Sequence, residues 1–444
     1  MQRLSHKHMS NLDPNMHWIV AQEGSRQTYG VPLALHNLGT LRVLYTDVWC
    51  RHGRAVLRRG SAGPRALATR YNAGLPSGKV VDFNYRAVLW RAWQHFRRPS
   101  MSPEQQAELF ISYGKWFACR VRDEISQLPL RPERDAFFGF NTNCLETLEL
   151  LKQKGITTVV DQIDPGRVEE EMIFEEGKRW AGWEKIPGRL PDAYWERLKA
   201  EWDLADIILV NSAWSRDALV QQGVHARRII VVPLAIDLHH KTMGRPVNPE
   251  GRFKVVWLGS IILRKGIQYL VEAARLLEHE DIEFLLAGPV GISREALATF
   301  PANIKVMGRV TRDQLAEVYQ QGHVFVLPTI SDGFAITQLE AMAHGLPVVA
   351  TPNCGQVVTD GLDGRIVPAR DSAALAAALM SLHSDRQLLL AMSRQALETI
   401  KRYDLPSNGR MIQAGVRRFR NQEVESQPVG QDGRSRVGPD MVRA

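Results

Sequence analysis

The sequence predicts an α/β protein made of two doubly wound parallel sheets facing a cleft, and three observations carry that prediction. Short apolar runs of strand length alternate with stretches of helical periodicity. Glycines and charged residues recur just after the apolar runs, where the strands of an open parallel sheet deliver their ligands. The chain has 444 residues, more than one ordinary core holds, so two domains and a tail are expected.

In the first half, Trp18 to Ala21 reads as a strand, Arg26 to Asn37 as a helix and Leu41 to Tyr45 as a second strand. Thr157 to Val160, Ile207 to Val210 and Ile229 to Val232 read as later strands of the same sheet. Together they predict a first domain over residues 1–240. Gly244 to Gly251, with two prolines, is the expected hinge. The second half is clearer and predicts a domain over 250–400. Val255 to Gly259 is a buried strand, and Ile267, Leu270, Val271, Ala274 and Leu277 follow at helical spacing. Ile282 to Ala287, Ile304 to Met307, Val324 to Leu327 and Val348 to Ala350 are further strands. Thr311 with Gln314 is a capping-box signal, Gly345 then Pro347 close the helix Thr337 to Ala343, and Asp371 opens an Ala/Leu-rich helix. Beyond Asn421 almost no apolar residues remain, so 421–444 is expected to be disordered.

Composition narrows the function. With 44% hydrophobic and 23% charged residues the chain is an ordinary globular protein, and no apolar run is long enough to cross a bilayer. Met1 to Asn15 has no apolar core of the kind a secretory signal carries. Cys50, Cys119, Cys144 and Cys354 are widely spaced with no CxxC pair, which points to a reduced, cytoplasmic setting and away from zinc. The net charge of +8 suits nucleic acid, an anionic membrane surface or phosphorylated small molecules. Arg51, Arg54, Arg58 and Arg59 concentrate it in the first third. Arg86 to Arg98, with Trp90, Trp93 and Phe96, reads either as an amphipathic packing helix or as a helix lying peripherally on the inner membrane surface.

Five segments follow the second-half strands: Gly259 to Gly266, Gly288-Pro289, Gly308-Arg309, Pro328 to Gly333 and Thr351 to Gly355. Converging on one sheet edge, they make one pocket. The strongest signal is Ser331-Asp332-Gly333-Phe334-Ala335-Ile336-Thr337-Gln338-Leu339-Glu340. Gly333 lets backbone approach a ligand, and the following helix aims free N–H groups at an anion such as a diphosphate. Carboxylates there accept hydrogen bonds from ribose and sugar hydroxyls. Asp332 also reads as a plain turn residue, and Glu340 as a solvated helix residue. Arg264-Lys265-Gly266 puts cations at a helix start, against the dipole, which makes sense if an anion is clamped between; positive charge there stabilises a leaving diphosphate. His344 reads as a helix-end residue. Near the start, Glu23 to Gln27 follows a strand; one glycine there is a weak phosphate-loop signal, and an ordinary turn is the competing reading.

On these residues the sequence resembles the retaining family-4 glycosyltransferases of GT-B fold. The resemblance covers about Ala205 to Leu382 and rests on the Asp332…Glu340 block with its Glu-Ala-Met-Ala-x-Gly-Leu-Pro-Val continuation, the Gly259…Lys265-Gly266 loop, Ala205-Asp206…Asn211-Ser212 and Val232-Pro233…Asp237. It implies two Rossmann-like domains, donor on the second and acceptor on the first, with a last helix near 405–420 returning to the first. It implies Glu340 on the ribose, Asp332 on the donor sugar and Lys265 on the diphosphate. Arg264, Gly259, Ser260, Gly288, Arg309, Gly333, Phe334 and Ala335 would line the donor, with Gly24 and Arg26 across the cleft. The pattern departs in places. Asp332 stands where the family has Glu, Ser260 where it has Arg, and Cys354-Gly355 where it has paired glycines. Asn141-Thr142-Asn143 takes the place of the family's histidine.

The expected function is therefore transfer of a hexose, with retention and without a metal or cofactor, from a UDP- or GDP-sugar substrate to a glycan or lipid-linked glycan. A sugar-nucleotide epimerase of the same fold and a basic polyanion-binding module are the alternatives. The acidic pair fits nucleic acid poorly, so no nucleic-acid partner is expected.

Overall fold

The computed structural model describes residues 16–60, 62–97, 101–185, 188–238 and 244–426. The expectations for Met1 to Asn15 and for the tail beyond Ser426 fall outside them.

Two all-parallel sheets organise the chain. The first contains β1 (His17–Gln22), β2 (Leu41–Thr46), β3 (Val80–Asp82), β4 (Asp135–Phe140), β5 (Thr157–Gln162), β6 (Ile207–Val210) and β7 (Ile229–Val231), in the order β3-β2-β1-β4-β5-β6-β7. The second contains β8 (Phe253–Leu258), β9 (Ile282–Ala287), β10 (Ile304–Gly308), β11 (Val324–Leu327), β12 (Val348–Ala350) and β13 (Gly364–Ile366), in the order β10-β9-β8-β11-β12-β13. In both, the chain winds outward from its first strand, returns and winds the other way. The order reverses between β1 and β4, and between β8 and β11, and at such switch points a ligand crevice opens. This is the doubly wound pair the sequence predicts.

Helices cover both faces of the first sheet. Trp18, Val20, Phe138, Phe140 and Val159 point to one core, and Ile19, Ala21, Phe137 and Val160 to the other. Strands buried on both faces lose the alternation of a half-solvated sheet. That is why β4, the central Asp-Ala-Phe-Phe-Gly-Phe run, escapes a pattern-based reading, as do the three-residue strands β3 and β13. In the second domain the capping box at Thr311 and Gln314 forms as its spacing predicts, and Asp371 caps the helix Ser372–Ser384 by accepting from Ala374 N–H at 2.8 Å.

Three expectations need correction. The helix expected over Arg26 to Asn37 is broken: Gln27, Thr28 and Tyr29 all have positive φ (50°, 54° and 62°), and helix begins only at Gly30. The 244–251 stretch is not the crossing. Gly244 N–H bonds Ala343, Val247 N–H bonds Ser393 Oγ, and Val247 enters the second core. The chain passes from the first core at Ala235 to the second at Ile236, which forms an isolated bridge with Asp404 of the returning segment. The final helix runs Leu405–Ser426, six residues into the tail expected to be disordered. It lies on the first domain, where Gln413 donates to Thr40 Oγ1 at 2.8 Å and Asn408 to the Pro233 carbonyl at 2.8 Å.

The helix Asn84–Arg97 packs through one face and leaves apolar side chains exposed on the other. Ala87 is buried and Trp90 packs on Tyr113 and Trp116, while Tyr85, Leu89 and Trp93 remain exposed. Among the described residues, no helix is long and apolar enough to cross a membrane.

Candidate active site

The second domain brings its strand ends together through backbone. Gly259 N–H donates to the Ala287 carbonyl at 3.0 Å and Gly288 N–H to that of Gly308 at 2.8 Å, extending the ladder past the strands. Ser260 is half-buried beside this edge, and Arg309 is exposed at its outer, β10 end. Gly266 turns a 3₁₀ segment, Leu263–Lys265, into the helix Ile267–Leu276 at φ +73°. A side chain there is impossible, since its Cβ would sit 1.8 Å from the Pro328 carbonyl oxygen. That contact locks the Arg264-Lys265 turn to the loop after β11. The Arg264 carbonyl accepts from Ile330 N–H and from Thr329 Oγ1, each at 3.0 Å.

Arg264 Nη1 donates to the Ser331 carbonyl at 2.9 Å and lies 3.8 Å from Asp332 Oδ2. Lys265 Nζ donates to the same Asp332 oxygen. The other oxygen, Oδ1, accepts from the amides of Phe334 and Ala335 at 3.2 and 3.0 Å. Asp332 is thus a turn residue and a cation partner at once. Burial is the largest single influence on its carboxyl and pushes the pKa up; Lys265, Arg264 and the amides outweigh it and hold the group below its ordinary value. The turn leaves Ala335 at φ +61°, an unusual conformation of the kind that gathers at functional sites.

Glu340 stands a turn further along, on the helix Thr337–Ala343, and accepts from the Tyr319 hydroxyl at 3.4 Å. Burial, followed by Glu340, raises the Tyr319 pKa well above normal, so the phenol remains a donor. His344, at the helix end, stacks on Tyr319 with ring centroids 5.1 Å apart.

Three residues expected at the donor have other contacts in the structure. Phe334 is 2% exposed and packs into the second core against Gly355. The Asp332 turn draws the Phe334 amide toward the carboxylate while the side chain fills the core. The missing side chain of Gly333 admits the first domain: a Cβ would lie 1.9 Å from the Ile163 carbonyl oxygen. Gly24 is likewise tied within the first domain, donating to Asp47 Oδ1 at 2.9 Å beside the Arg70–Asp47 ion pair.

Arg26 does reach the cleft. Its guanidinium lies over the Phe140 ring at 5.3 Å, and Nη1 is 3.4 Å from Asn141 Oδ1. The Asn141-Thr142-Asn143 loop is fixed from behind by Glu201, which accepts from the amides of Thr142, Cys144 and Leu145, and by Arg197, which donates to the Thr142 carbonyl and pairs with Glu146.

The sequence reading missed the carboxylates on the first-domain side. Asp161 is the penultimate residue of β5, and Asp164 and Glu169 follow the strand. Glu169 Oε2 accepts from Ser331 Oγ at 2.8 Å and lies 3.5 Å from Arg264 Nη1, joining the domains. Burial raises Glu169 to about 7 against the pull of Arg264. Burial also raises Asp164, which feels both Arg26 and Arg264. A chain of ionisable side chains therefore crosses the cleft from Arg26 through Asp164 and Glu169, two neighbouring carboxyls, to Arg264, Asp332 and Lys265. Applying the strand-end rule to the first sheet, as to the second, would have found Asp161 and Asp164. Among the described residues no group of three or more His, Cys, Asp or Glu is arranged to hold a metal ion.

Two facing doubly wound domains with cations on one strand edge define the GT-B class of α/β fold. Residues 252–385 match the family model of glycosyl transferases group 1. The chain is 31% identical over 217 residues to the D-inositol 3-phosphate glycosyltransferase of Geodermatophilus obscurus, covering 43% of this chain and 48% of that protein. It is 32% identical over 226 residues to the phosphatidyl-myo-inositol mannosyltransferase of Mycolicibacterium smegmatis, covering 50% and 54%. The chain spans about half the length of these curated relatives. Among solved structures, sucrose-phosphate synthase from Thermosynechococcus elongatus superposes at TM-score 0.60 with 17% identity over 93% of this chain and 100% of that one. Anabaena Alr3699/HepE, in complex with UDP and glucose, superposes at 0.54 with 15% identity over 91% and 100%. At these identities the structures speak for the fold.

Proposed function

We propose that this chain is a glycosyltransferase that moves a hexose from a UDP- or GDP-sugar to a hydroxyl of a glycan or lipid-linked glycan, retaining the anomeric configuration and using no metal ion. One observation carries the reading: Arg264 and Lys265 are held together at the carboxyl edge of the second sheet, with the side chain of Asp332 between them. A diphosphate brought to this edge takes over the cations that Asp332 and Glu169 now engage. As the bond from the anomeric carbon to the diphosphate oxygen breaks, negative charge grows on the leaving group, and Lys265 and Arg264 meet it in place, without reorganisation. The acceptor oxygen bonds to the same face of that carbon, and its proton passes to the leaving phosphate. Asp332 holds the donor sugar and Glu340 the ribose. The group 1 match over residues 252–385, which contains all four side chains, supports this assignment.

The test is calorimetric titration of UDP and GDP, followed by transfer assays with the sugar of whichever binds. Binding of one nucleotide to the wild type, with about 100-fold loss of kcat/KM in Lys265→Ala, is the expected result. Failure of both nucleotides to bind removes the proposal. As a second partner we propose an anionic membrane surface, met by the exposed Tyr85, Leu89 and Trp93 of the helix Asn84–Arg97.

A further inference from the structure

The first sheet presents a row of side chains at the switch point between β1 and β4 that the donor reading does not use. Gln22 is the next residue on the face carrying Trp18 and Val20; Phe140 follows Phe138 on that face and pairs in register with Asp161, two residues on from Val159. Gln22, Phe140 and Asp161 therefore stand side by side on three adjacent strands. Gln22 is 0% and Asp161 1% exposed. Gln22 Oε1 and Asp161 Oδ1 nevertheless have no hydrogen-bond partner among the described residues. Burying a lone pair unpaired costs stability unless something pairs it.

What covers the row is Arg26. Its guanidinium sits over Phe140, the middle member, with a long 3.4 Å contact to Asn141 Oδ1 and within electrostatic reach of Asp161 and Asp164. The backbone under it is unusual. Three successive non-glycine residues, Gln27, Thr28 and Tyr29, have positive φ, and such conformations persist only where the surroundings impose them. The surroundings here include Gln22 itself, whose Nε2 donates to the carbonyls of Gly24 and Arg26 at 3.0 and 3.1 Å. Gln22 thus spends its amide nitrogen on placing Arg26 and leaves its oxygen available.

We infer that this row is the acceptor subsite, and that it binds a ring-sized polyol whose hydroxyls donate to Gln22 Oε1 and Asp161 Oδ1 while one of its oxygens accepts from Arg26. The span fits: two inter-strand steps are about 10 Å, bridged by one sugar-sized ring and the two side chains. The donor-rich guanidinium and the two open oxygens match the mixed donor and acceptor character of a hydroxyl-bearing ring. Arg26 swings off Phe140 to admit it. The inference rests on the transferase reading, which requires an acceptor hydroxyl in this cleft, and of the residues expected around the donor it uses Arg26 alone.

The experiment is saturation-transfer difference NMR on the full chain, with and without UDP. The probes are D-glucose, D-mannose and myo-inositol, with tetrahydropyran-2-methanol as the ring bearing a single hydroxyl. At least one polyol should give a signal that the control does not, with affinity falling at least ten-fold in both Gln22→Met and Asp161→Val. Because Asp161→Val removes a buried oxygen without a partner, its melting temperature should hold or rise while the signal disappears. No polyol signal in the wild type, or a signal that survives either substitution, overturns the inference. If Asp161→Val does not fold, Asp161→Asn is read in the same way. Calorimetric titration of UDP on the same samples separates the two readings: a wild type that binds a polyol but no UDP sinks the donor site alone, and one that binds UDP but no polyol sinks the acceptor row alone.

Discussion

The two strand edges that face each other across the cleft are built in opposite ways. On the second sheet, backbone does the organising: Gly259 and Gly288 extend the ladder, Gly266 meets Pro328, and the resulting edge carries cations. On the first sheet, side chains do it. Glu201 gathers three amides, Arg197 pairs with Glu146, Asp47 ties Gly24 to Arg70, and the edge is rich in buried carboxylates. Backbone-built edges leave their side chains available for a ligand and fit an anion. Side-chain-built edges commit theirs to the fold, so the atoms left over, such as Asp161 Oδ1, stand out.

The largest effects should fall on the cationic edge. Lys265→Ala should lose about 100-fold in kcat/KM with the preferred nucleotide sugar, mostly in kcat if the lysine meets charge only in the transition state. Arg264→Ala should cost less, since its guanidinium also serves the Ser331 carbonyl and Glu169. An equal loss in both would mean that the pair acts as a unit. Glu340→Gln comes next, weakening nucleotide binding about ten-fold as one charge-assisted hydrogen bond is exchanged for a neutral one. Unchanged affinity in a titration of that variant would break the ribose assignment.

The edges should also titrate in opposite senses. Asp161, Glu169 and Glu201 are each raised by burial to about 7. The folded state therefore binds more protons than the unfolded state between the ordinary carboxylate range and about pH 7, and these groups lower stability as pH rises through that window. Asp332 runs the other way: its depressed pKa adds stability above the ordinary aspartate value and loses it as pH falls through the folded value. Urea midpoints followed from pH 3 to pH 8 should flatten on the alkaline side in Asp161→Asn and on the acid side in Asp332→Asn. The same slope in both variants would erase the distinction between the edges.

What the sequence disclosed follows the same divide. The strands β8, β9, β11 and β12 and the loops after them were legible because each is local: an apolar run, then glycine, then charge. Asp332 and Glu340 belong to one contiguous block, and Lys265 precedes the glycine that fixes it. The first edge is assembled from residues far apart in the chain, so no window contains it. Arg26 reaches Asn141, and Glu201 reaches Thr142, only after the sheet has formed. The strand β4, which bridges these parts, is buried on both faces and reads as an unpatterned aromatic run. Phe334 and Gly333 show the converse: within one contiguous motif, the side chain of Phe334 enters the core and the backbone of the first domain lies against Gly333.

The smallest effect belongs to the outer surface of the first domain, where packing and exposure divide a single helix. Trp90 is stacked on Trp116 with 14° between the ring planes, so Trp90→Ala should lower the melting temperature. Trp93 is 44% exposed and Tyr85 78%. Trp93→Ala and Tyr85→Ala should leave melting unchanged and cut partition onto anionic vesicles only a few-fold each, because a peripheral helix gains from buried area and from basic charge together. Flotation with phosphatidylglycerol vesicles, set against neutral phosphatidylcholine, checks this. Equal partition of both variants and the wild type onto both vesicles would leave the exposed ring face without a membrane role and assign the helix wholly to packing.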